Sequence, residues 1–365
     1  MNRLLVAIAV FSAALSACTP GGRQSAAQRS EQASASSGET FNEQAVADFY
    51  RGKTIRIVVG FAPGGAFDVY SRLLSKHMPQ YVPGNPTIVV ENRPGAASAV
   101  AANLVYSVEP KDGTVIGSFN ESLVLQQLLE AEGIQFDAAK FNWLGSSVDT
   151  TTTCLVRSDL GINSMQDVLA GREVVVGSTG PGTPTQDGPA VLNAALGTRL
   201  RIVPGYDGIA AINLAMESRE IDGYCVSFDS VQIVARRLIE SDPPGAKILV
   251  VFGPQTPNHP WLAGVPTAES LAQNDRARQL LRTVHVASQI SKPFAIAPEV
   301  PKDRVAALRK AYMAAFADPG FTEDARAAGL EVSPSDGEKV TRVVQDLLNT
   351  PAATANELKS VLKQA

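Results

Sequence analysis

The chain is short of the side chains that most chemistry needs. It has 3 His and 3 Cys in 365 residues, too few for a metal centre built from several imidazoles or thiolates. Charge of one sign is also missing. Lys and Arg number 32 against 36 Asp and Glu, a net charge of −4, which gives no electrostatic reason to expect nucleic acid as a partner. No apolar run reaches the ~20 residues of a membrane-spanning helix. The three histidines sit apart. His77 falls on the face of an amphipathic segment, His259 in the loop Pro257-Asn258-His259-Pro260, and His285 in an apolar context. No spacing ties any of them to a Ser, Cys or carboxylate partner. They read as structural, and no catalytic residue, metal or cofactor is expected.

What remains is an ordinary globular composition, 45% apolar and 19% charged, long enough for one large or two ordinary domains. The N-terminus carries the first positive signal. Arg3 precedes an uncharged, mostly apolar run from Leu4 to Ala17, as in a secretory leader. The run closes on Leu15-Ser16-Ala17-Cys18, which resembles a bacterial lipobox. The expectation is a signal peptide over residues 1–17, lipidation of Cys18, and a flexible tether over 18–44, where Ser, Ala, Gln and Gly dominate. The alternative is plain cleavage near Ala17 with Cys18 incidental. Two thiols of an exported protein often pair, which makes a bridge between Cys154 and Cys225 one reading; the other is two buried thiols acting as small hydrophobes.

Beyond the tether, β-branched runs alternate with helical periodicity. Thr54–Phe61, Thr87–Glu91 and Val115–Phe119 read as strands, with helices expected between them, one from Val69 to His77 and an Ala-rich one from Ala96 to Val105. The grammar restarts at Glu173–Gly177, Arg201–Pro204, Ile221–Phe228 and Lys247–Phe252. Repetition of the unit implies an α/β fold in two lobes, each a parallel sheet covered by helices.

Two strand-to-helix loops are rich in glycine. Phe61-Ala62-Pro63-Gly64-Gly65-Ala66-Phe67-Asp68 lets the backbone approach a ligand, and the helix start offers unpaired N–H groups that suit an anion. Asp68 reads as a helix cap or a ligand contact. Gly177-Ser178-Thr179-Gly180-Pro181-Gly182-Thr183 adds three hydroxyls. It lacks the Gly-Lys-Ser/Thr ending of a phosphate-binding loop and the spacing of a nucleophile elbow. Each loop alone is also consistent with a tight turn. Two of them, facing across a cleft beyond the carboxyl ends of the strands, make a candidate anion site.

Several segments resemble one family. Pro63-Gly64-Gly65-Ala66-Phe67-Asp68, Glu91-Asn92-Arg93-Pro94-Gly95-Ala96, Pro110-Lys111-Asp112-Gly113-Thr114, Val203-Pro204-Gly205-Tyr206-Asp207-Gly208, Val265-Pro266-Thr267-Ala268-Glu269 and Ile296-Ala297-Pro298-Glu299-Val300-Pro301 are similar to signatures of the tripartite tricarboxylate transporter receptors (TctC or Bug proteins). The resemblance runs from about Thr54 to the C-terminus. It implies a type II periplasmic-binding-protein fold, with lobe 1 over 45–151 and 251–365, lobe 2 over 152–250, and crossing strands near Thr152–Val156 and Ile248–Phe252. It implies a small carboxylate, a di- or tricarboxylate or an aromatic acid, delivered to membrane permease subunits. It places Ala62, Gly64, Gly65 and Asp68 on one wall of the cleft and Ser178, Thr179, Gly182, Thr183 and Tyr206 on the other, with Asp229 near the cleft. The chain departs from the family at Asn142-Trp143-Leu144-Gly145, at Cys154 and Cys225, and at the inserted Gly205. The expected protein is an exported, membrane-anchored monomer on the periplasmic face. Two alternatives remain: the same trap serving a membrane signalling partner, or an enzyme on the same fold.

Overall fold

Alternation of β-branched runs with amphipathic segments builds two sheets. The computed structural model describes residues 41–253 and 257–363. The leader and Cys18 lie outside the described residues, as does most of the tether. The strands are β1 (Thr54–Val59), β2 (Thr87–Asn92), β3 (Val115–Ser118), β4 (Asn142–Val148), β5 (Thr152–Arg157), β6 (Glu173–Gly177), β7 (Arg199–Val203), β8 (Gly223–Ser227), β9 (Ala246–Val251), β10 (Ser291–Ile296) and β11 (Ser335–Asp336). The helices that matter for the site are α1 (Ala66–His77), α2 (Pro184–Leu196), α3 (Ile209–Glu217), α4 (Phe228–Val234), α5 (Asp275–Val286), α6 (Lys302–Phe316) and α7 (Ala352–Lys363).

Sheet one has the order β11-β4-β10-β3-β1-β2 and sheet two the order β7-β6-β8-β5-β9. Each contains the expected parallel triplet: β3-β1-β2 in the first, β7-β6-β8 in the second. Parallel strands need crossover connections, and the helices between them supply these. Both sheets are mixed rather than purely parallel, because β10, β4 and β11 extend the first antiparallel and β5 and β9 extend the second.

β1 shows how the sequence fixes the layering. Ile55, Ile57 and Val59 point to one face and pack with Tyr70 and Leu74 of α1 and Tyr312 of α6. Val58 points to the other face, among Ala99 and Val105. A strand buried on both faces must be apolar throughout, as Thr54-Ile-Arg-Ile-Val-Val nearly is. Burying such a side chain contributes ~1.5–3 kcal/mol. α1 in turn buries Ala66, Tyr70 and Leu74 at helical spacing, with Asp68 in its first turn and Lys76 and His77 in its last, as the helix dipole favours.

Two local expectations need correction, and one strand was not anticipated. The helix expected from Ala96 starts at Ala99, because Ala96, Ala97 and Ser98 hold left-handed backbone, with φ of 46°, 48° and 84°. The segment read as tether ends early: Asn42 already caps the helix Glu43–Tyr50 by accepting from the Ala45 N–H at 3.0 Å. Finally, β10 lies in the interior of sheet one despite Pro293, a residue that normally avoids central strands. The pairing is irregular there: Lys292 has φ of 54° and the register to β4 slips between Phe294 and Ala295.

The chain passes from sheet one to sheet two at residues 149–151 and returns after β9, through α5, to β10. The passages are tied together. Thr151 Oγ1 donates to the Phe252 carbonyl, Phe252 N–H donates to the Thr152 carbonyl at 2.8 Å, and Thr150 N–H donates to the Ser288 carbonyl at 3.3 Å. Thr152–Val156 and Ile248–Phe252 are themselves mostly adjacent strands of sheet two. α5 and α7 both pack on α2. Cys154 and Cys225, directly opposite on β5 and β8, are joined in a disulfide.

Candidate functional site

All six parallel strands end at one cavity of about 400 Å³. The loops after β1, β2 and β3 line it from one sheet, and those after β6, β7 and β8 from the other. This is where ligands of open α/β sheets sit.

The first wall is built around Asp68. Its carboxylate accepts from Gly64 N–H at 2.9 Å, from Arg72 Nε at 2.9 Å and from Asn92 Nδ2 at 3.0 Å. Asn92 Nδ2 also donates to the Phe61 carbonyl at 2.9 Å. The Glu91–Ala96 segment thus braces the glycine loop through Asn92, while Glu91 pairs with Arg56 at 2.7 Å and with Arg93. Burial works to raise the Asp68 carboxyl, but Arg72, the Gly64 N–H and Asn92 outweigh it and hold the group below the usual carboxylate range. Asp68 itself is buried behind the loop and does not line the cavity; Ala62, Gly64 and Gly65 do. α1 begins after Gly65 with no side-chain cap, so the N–H groups of its first turn remain available.

The second wall uses the same device with fewer partners. Gly182 N–H donates to Asp187 Oδ1 at 3.1 Å, and Asp187 Oδ2 is buried without a partner. Burial pushes this carboxyl up to about 7, opposed only by the Gly182 N–H. The loop hydroxyls mostly shape the loop. Ser178 is fully buried and donates to Gln186 Oε1 at 2.9 Å; Thr183 Oγ1 donates to the Gly180 carbonyl at 2.8 Å. Thr179, Thr183 and Tyr206 line the cavity, whereas Ser178 and Gly182 lie behind it. Tyr206 keeps its ring at the wall and its hydroxyl on Glu220 Oε1 at 2.6 Å.

The sequence reads Ile209–Met216 as helical, and the helix forms over Ile209–Glu217, but its start was not anticipated as part of the site. α3 begins after Gly208 with no side-chain cap, and Ile209 and Ala210 line the cavity. The signal was present, since Gly208 stands between a strand and a helix as Gly65 does. The loops also meet: Asn120 Nδ2 donates to the Gly182 carbonyl at 2.8 Å, while Asn120 N–H donates to Ser98 Oγ at 3.1 Å. The left-handed run Ala96–Ser98 is therefore held at the cavity edge, where backbone strain commonly accompanies a binding role.

The floor holds charge that the sequence did not flag as functional. Lys292 Nζ lies 2.7 Å from Asp229 Oδ2 and donates to Ser227 Oγ, Ser291 Oγ and Asp229 Oδ1, each at 3.0 Å. Lys292 and Asp229 are each 1% exposed. Lys292 lines the cavity and Asp229 stands behind it. Glu121, 4% exposed and also lining the cavity, accepts from Ser291 Oγ at 2.9 Å. Burial raises the Glu121 carboxyl above its usual range, with Lys292 working against the rise. The only hint in the sequence is a Lys set against the apolar run Pro293-Phe294-Ala295-Ile296.

None of the histidines lines the cavity. His77 pairs with Asp324 at 2.6 Å, His259 packs between Phe228 and Trp261, and burial lowers the His285 imidazole. Among the described residues no group of three or more His, Cys, Asp or Glu is arranged to hold a metal, and no helix is long and apolar enough to cross a membrane.

No protein-family model matches the chain. In sequence it is 25% identical over 325 residues to a UPF0065 protein of Bordetella pertussis, covering 86% of this chain and 91% of that protein. In fold it is similar to the periplasmic binding protein BugD, with a TM-score of 0.67 and 21% identity over 86% of this chain and 98% of that one. A TctC solute-binding protein from Polaromonas aligns with a TM-score of 0.59 and 18% identity, over 87% and 100% of the two chains. MatC of Rhodopseudomonas palustris, solved with bound malate, aligns with a TM-score of 0.64 and 18% identity over 85% and 99%. The solved structures establish the two-lobed α/β architecture. In sequence this chain is similar to UPF0065 proteins, and in fold to the TctC and BugD binding proteins.

Proposed function

We propose that this chain is an extracytoplasmic receptor that captures a small carboxylate between two lobes, delivers it to a tripartite tricarboxylate-type permease and performs no chemistry on it. One observation carries the reading: the uncapped starts of α1 and α3, approaching from opposite sheets, converge on a single cavity. Backbone N–H groups at a helix start, with the dipole behind them, favour a negative charge by ~0.3–1 kcal/mol each at exposed sites and more when dry. The glycine loops keep side chains from filling the space. The malate in MatC is one acid of suitable size.

Lobe 1 in this reading spans 45–151 and 251–365, and lobe 2 spans 152–250, with α5 and α7 reaching across onto α2. The segment 149–151 and its partners Phe252 and Ser288 form the hinge. A ligand that bonds to both walls is held more tightly in the closed form than in the open one and shifts the population towards closure. The leader and Cys18 support export and a lipid anchor on the periplasmic face.

A thermal-shift screen of the mature protein against mono-, di- and tricarboxylates, aromatic acids and amino acids tests this. Binding to the native state alone raises stability by ~2.7 kcal/mol when ligand stands at 100 times Kd. At least one acid should raise the melting temperature in a concentration-dependent way. Indifference to every acid, with a response to sugars or cations instead, would overturn the reading.

A further inference from the structure

The floor of the cavity differs in chemistry from its walls. The walls offer donors, the main-chain N–H groups of the helix starts. The floor offers acceptors. An ammonium has three hydrogens and no lone pair, and those of Lys292 are directed at Asp229, Ser227 and Ser291, each within 3.0 Å. None is left for a ligand. Glu121 is satisfied only in part: Ser291 Oγ donates to Oε1 at 2.9 Å and Lys292 N–H reaches Oε2 at a long 3.4 Å. A carboxylate has room for about four such bonds. The two carboxyl groups of Glu121 and Asp229 together outnumber the Lys292 ammonium between them.

We propose that Glu121, held by Ser291 and Lys292, is a specificity-determining residue that accepts a hydrogen bond from an amino or hydroxyl group of the ligand, so that the receptor prefers substituted or amino-terminated carboxylates to plain dicarboxylates of the same length. This rests on the carboxylate reading of the cavity. A ligand enters with its carboxylate on the glycine walls and its donor at the floor. A plain dicarboxylate of that length brings its second negative charge against Glu121 instead, in a site where little water remains to screen it. Lys292 acts as a positioning residue: it orients Ser291 and balances Asp229 without touching the ligand.

The test is isothermal titration at pH 8 of the mature protein with matched pairs: succinate against malate and aspartate, and glutarate against 4-hydroxybutyrate and 4-aminobutyrate. The donor-bearing member of at least one pair should bind about tenfold or more tightly than its plain partner, as expected when a buried acceptor is matched rather than opposed. In Glu121→Gln, which keeps the shape and removes the charge, the plain dicarboxylate should gain and the difference should shrink to about threefold or less. Plain dicarboxylates binding as tightly as their partners in wild type would overturn the proposal and leave the carboxylate reading standing. An undiminished preference in Glu121→Gln would do the same. Failure of every acid in the panel, and of the wider screen, would remove both. Should Glu121→Gln not fold, the wild-type pairs decide alone.

Discussion

Gly65 and Gly182 each belong to one of the two glycine loops but differ as single residues. A Cβ on Gly65 meets nothing within 4 Å, because the cavity lies in front of it. Gly182 has φ of 78°, and a Cβ there would stand 2.9 Å from the Gln126 side chain. Gly65→Val should therefore remove ligand binding with little change in melting temperature, while Gly182→Val should lower both. Titration and thermal melts of the two variants check this; wild-type affinity in Gly65→Val would place the ligand elsewhere. Lys292 makes a second residue-scale prediction. Lys292→Met strands Asp229 and Glu121 as buried charges, and breaking such a pair costs ~3–5 kcal/mol. Urea unfolding should show that loss. Adding Asp229→Asn and Glu121→Gln to Lys292→Met should restore much of it, and a triple variant no better than the single would mean that the ammonium acts through packing alone.

Asp187 links residue chemistry to pH. Its folded carboxyl titrates at about 7, against ~3.9 in an unfolded chain. Between those values the folded state holds a proton that the unfolded state has lost, so this group's contribution to stability falls as pH rises towards 7 and is constant above it. Asp187→Asn keeps an acceptor for the Gly182 N–H and removes the titration. The variant's melting temperature should pull ahead of wild type between pH 5 and pH 7 and stay ahead by a fixed margin at higher pH. A margin independent of pH across that range would contradict the assignment.

At the scale of elements, what was legible followed from periodicity. β1, β2, β3, β6 and β9 are β-branched runs bounded by glycine or proline, and the chain forms them within a residue or two of the expected places. β10 was hidden because Lys292-Pro293 breaks the apolar run and forbids a regular ladder bond; only the neighbouring strands β3 and β4 make it a strand. The Ala96–Ser98 turn was hidden because alanine carries a helix preference that tertiary contacts with Asn120 override. Site residues divide the same way. Glycine loops announce themselves in sequence, whereas Glu121 and Lys292 meet only after the chain has folded across 171 positions, a separation that no local pattern encodes. The Cys154–Cys225 bridge stands between these cases, since the expected export would favour pairing and the opposed register of β5 and β8 brings the two together. It closes a separation of 71 residues, and in the chain-entropy model contributes ~4 kcal/mol. Replacing both cysteines by Ser should lower the unfolding free energy by about that amount while ligand affinity changes little, because neither cysteine lines the cavity. Equal stability with and without reductant would refute it.

At the scale of the whole molecule, two sheets present the carboxyl ends of their parallel triplets to one space. The connections between the sheets are short at 149–151, and a buried ion pair at the floor spans from β10 of one sheet to α4, which follows β8 of the other. In the proposed function such a body closes as two units about a narrow hinge, and the bound ligand is what the two units share. The most direct test of this claim is a crystal structure with the acid that gives the largest thermal shift. A carboxylate should lie within ~3.2 Å of main-chain N–H groups in the first turns of α1 and α3, with the opposite end of the ligand at Glu121. A ligand bound outside the cavity, or one whose charge is met by side chains while both helix starts face solvent, would contradict it.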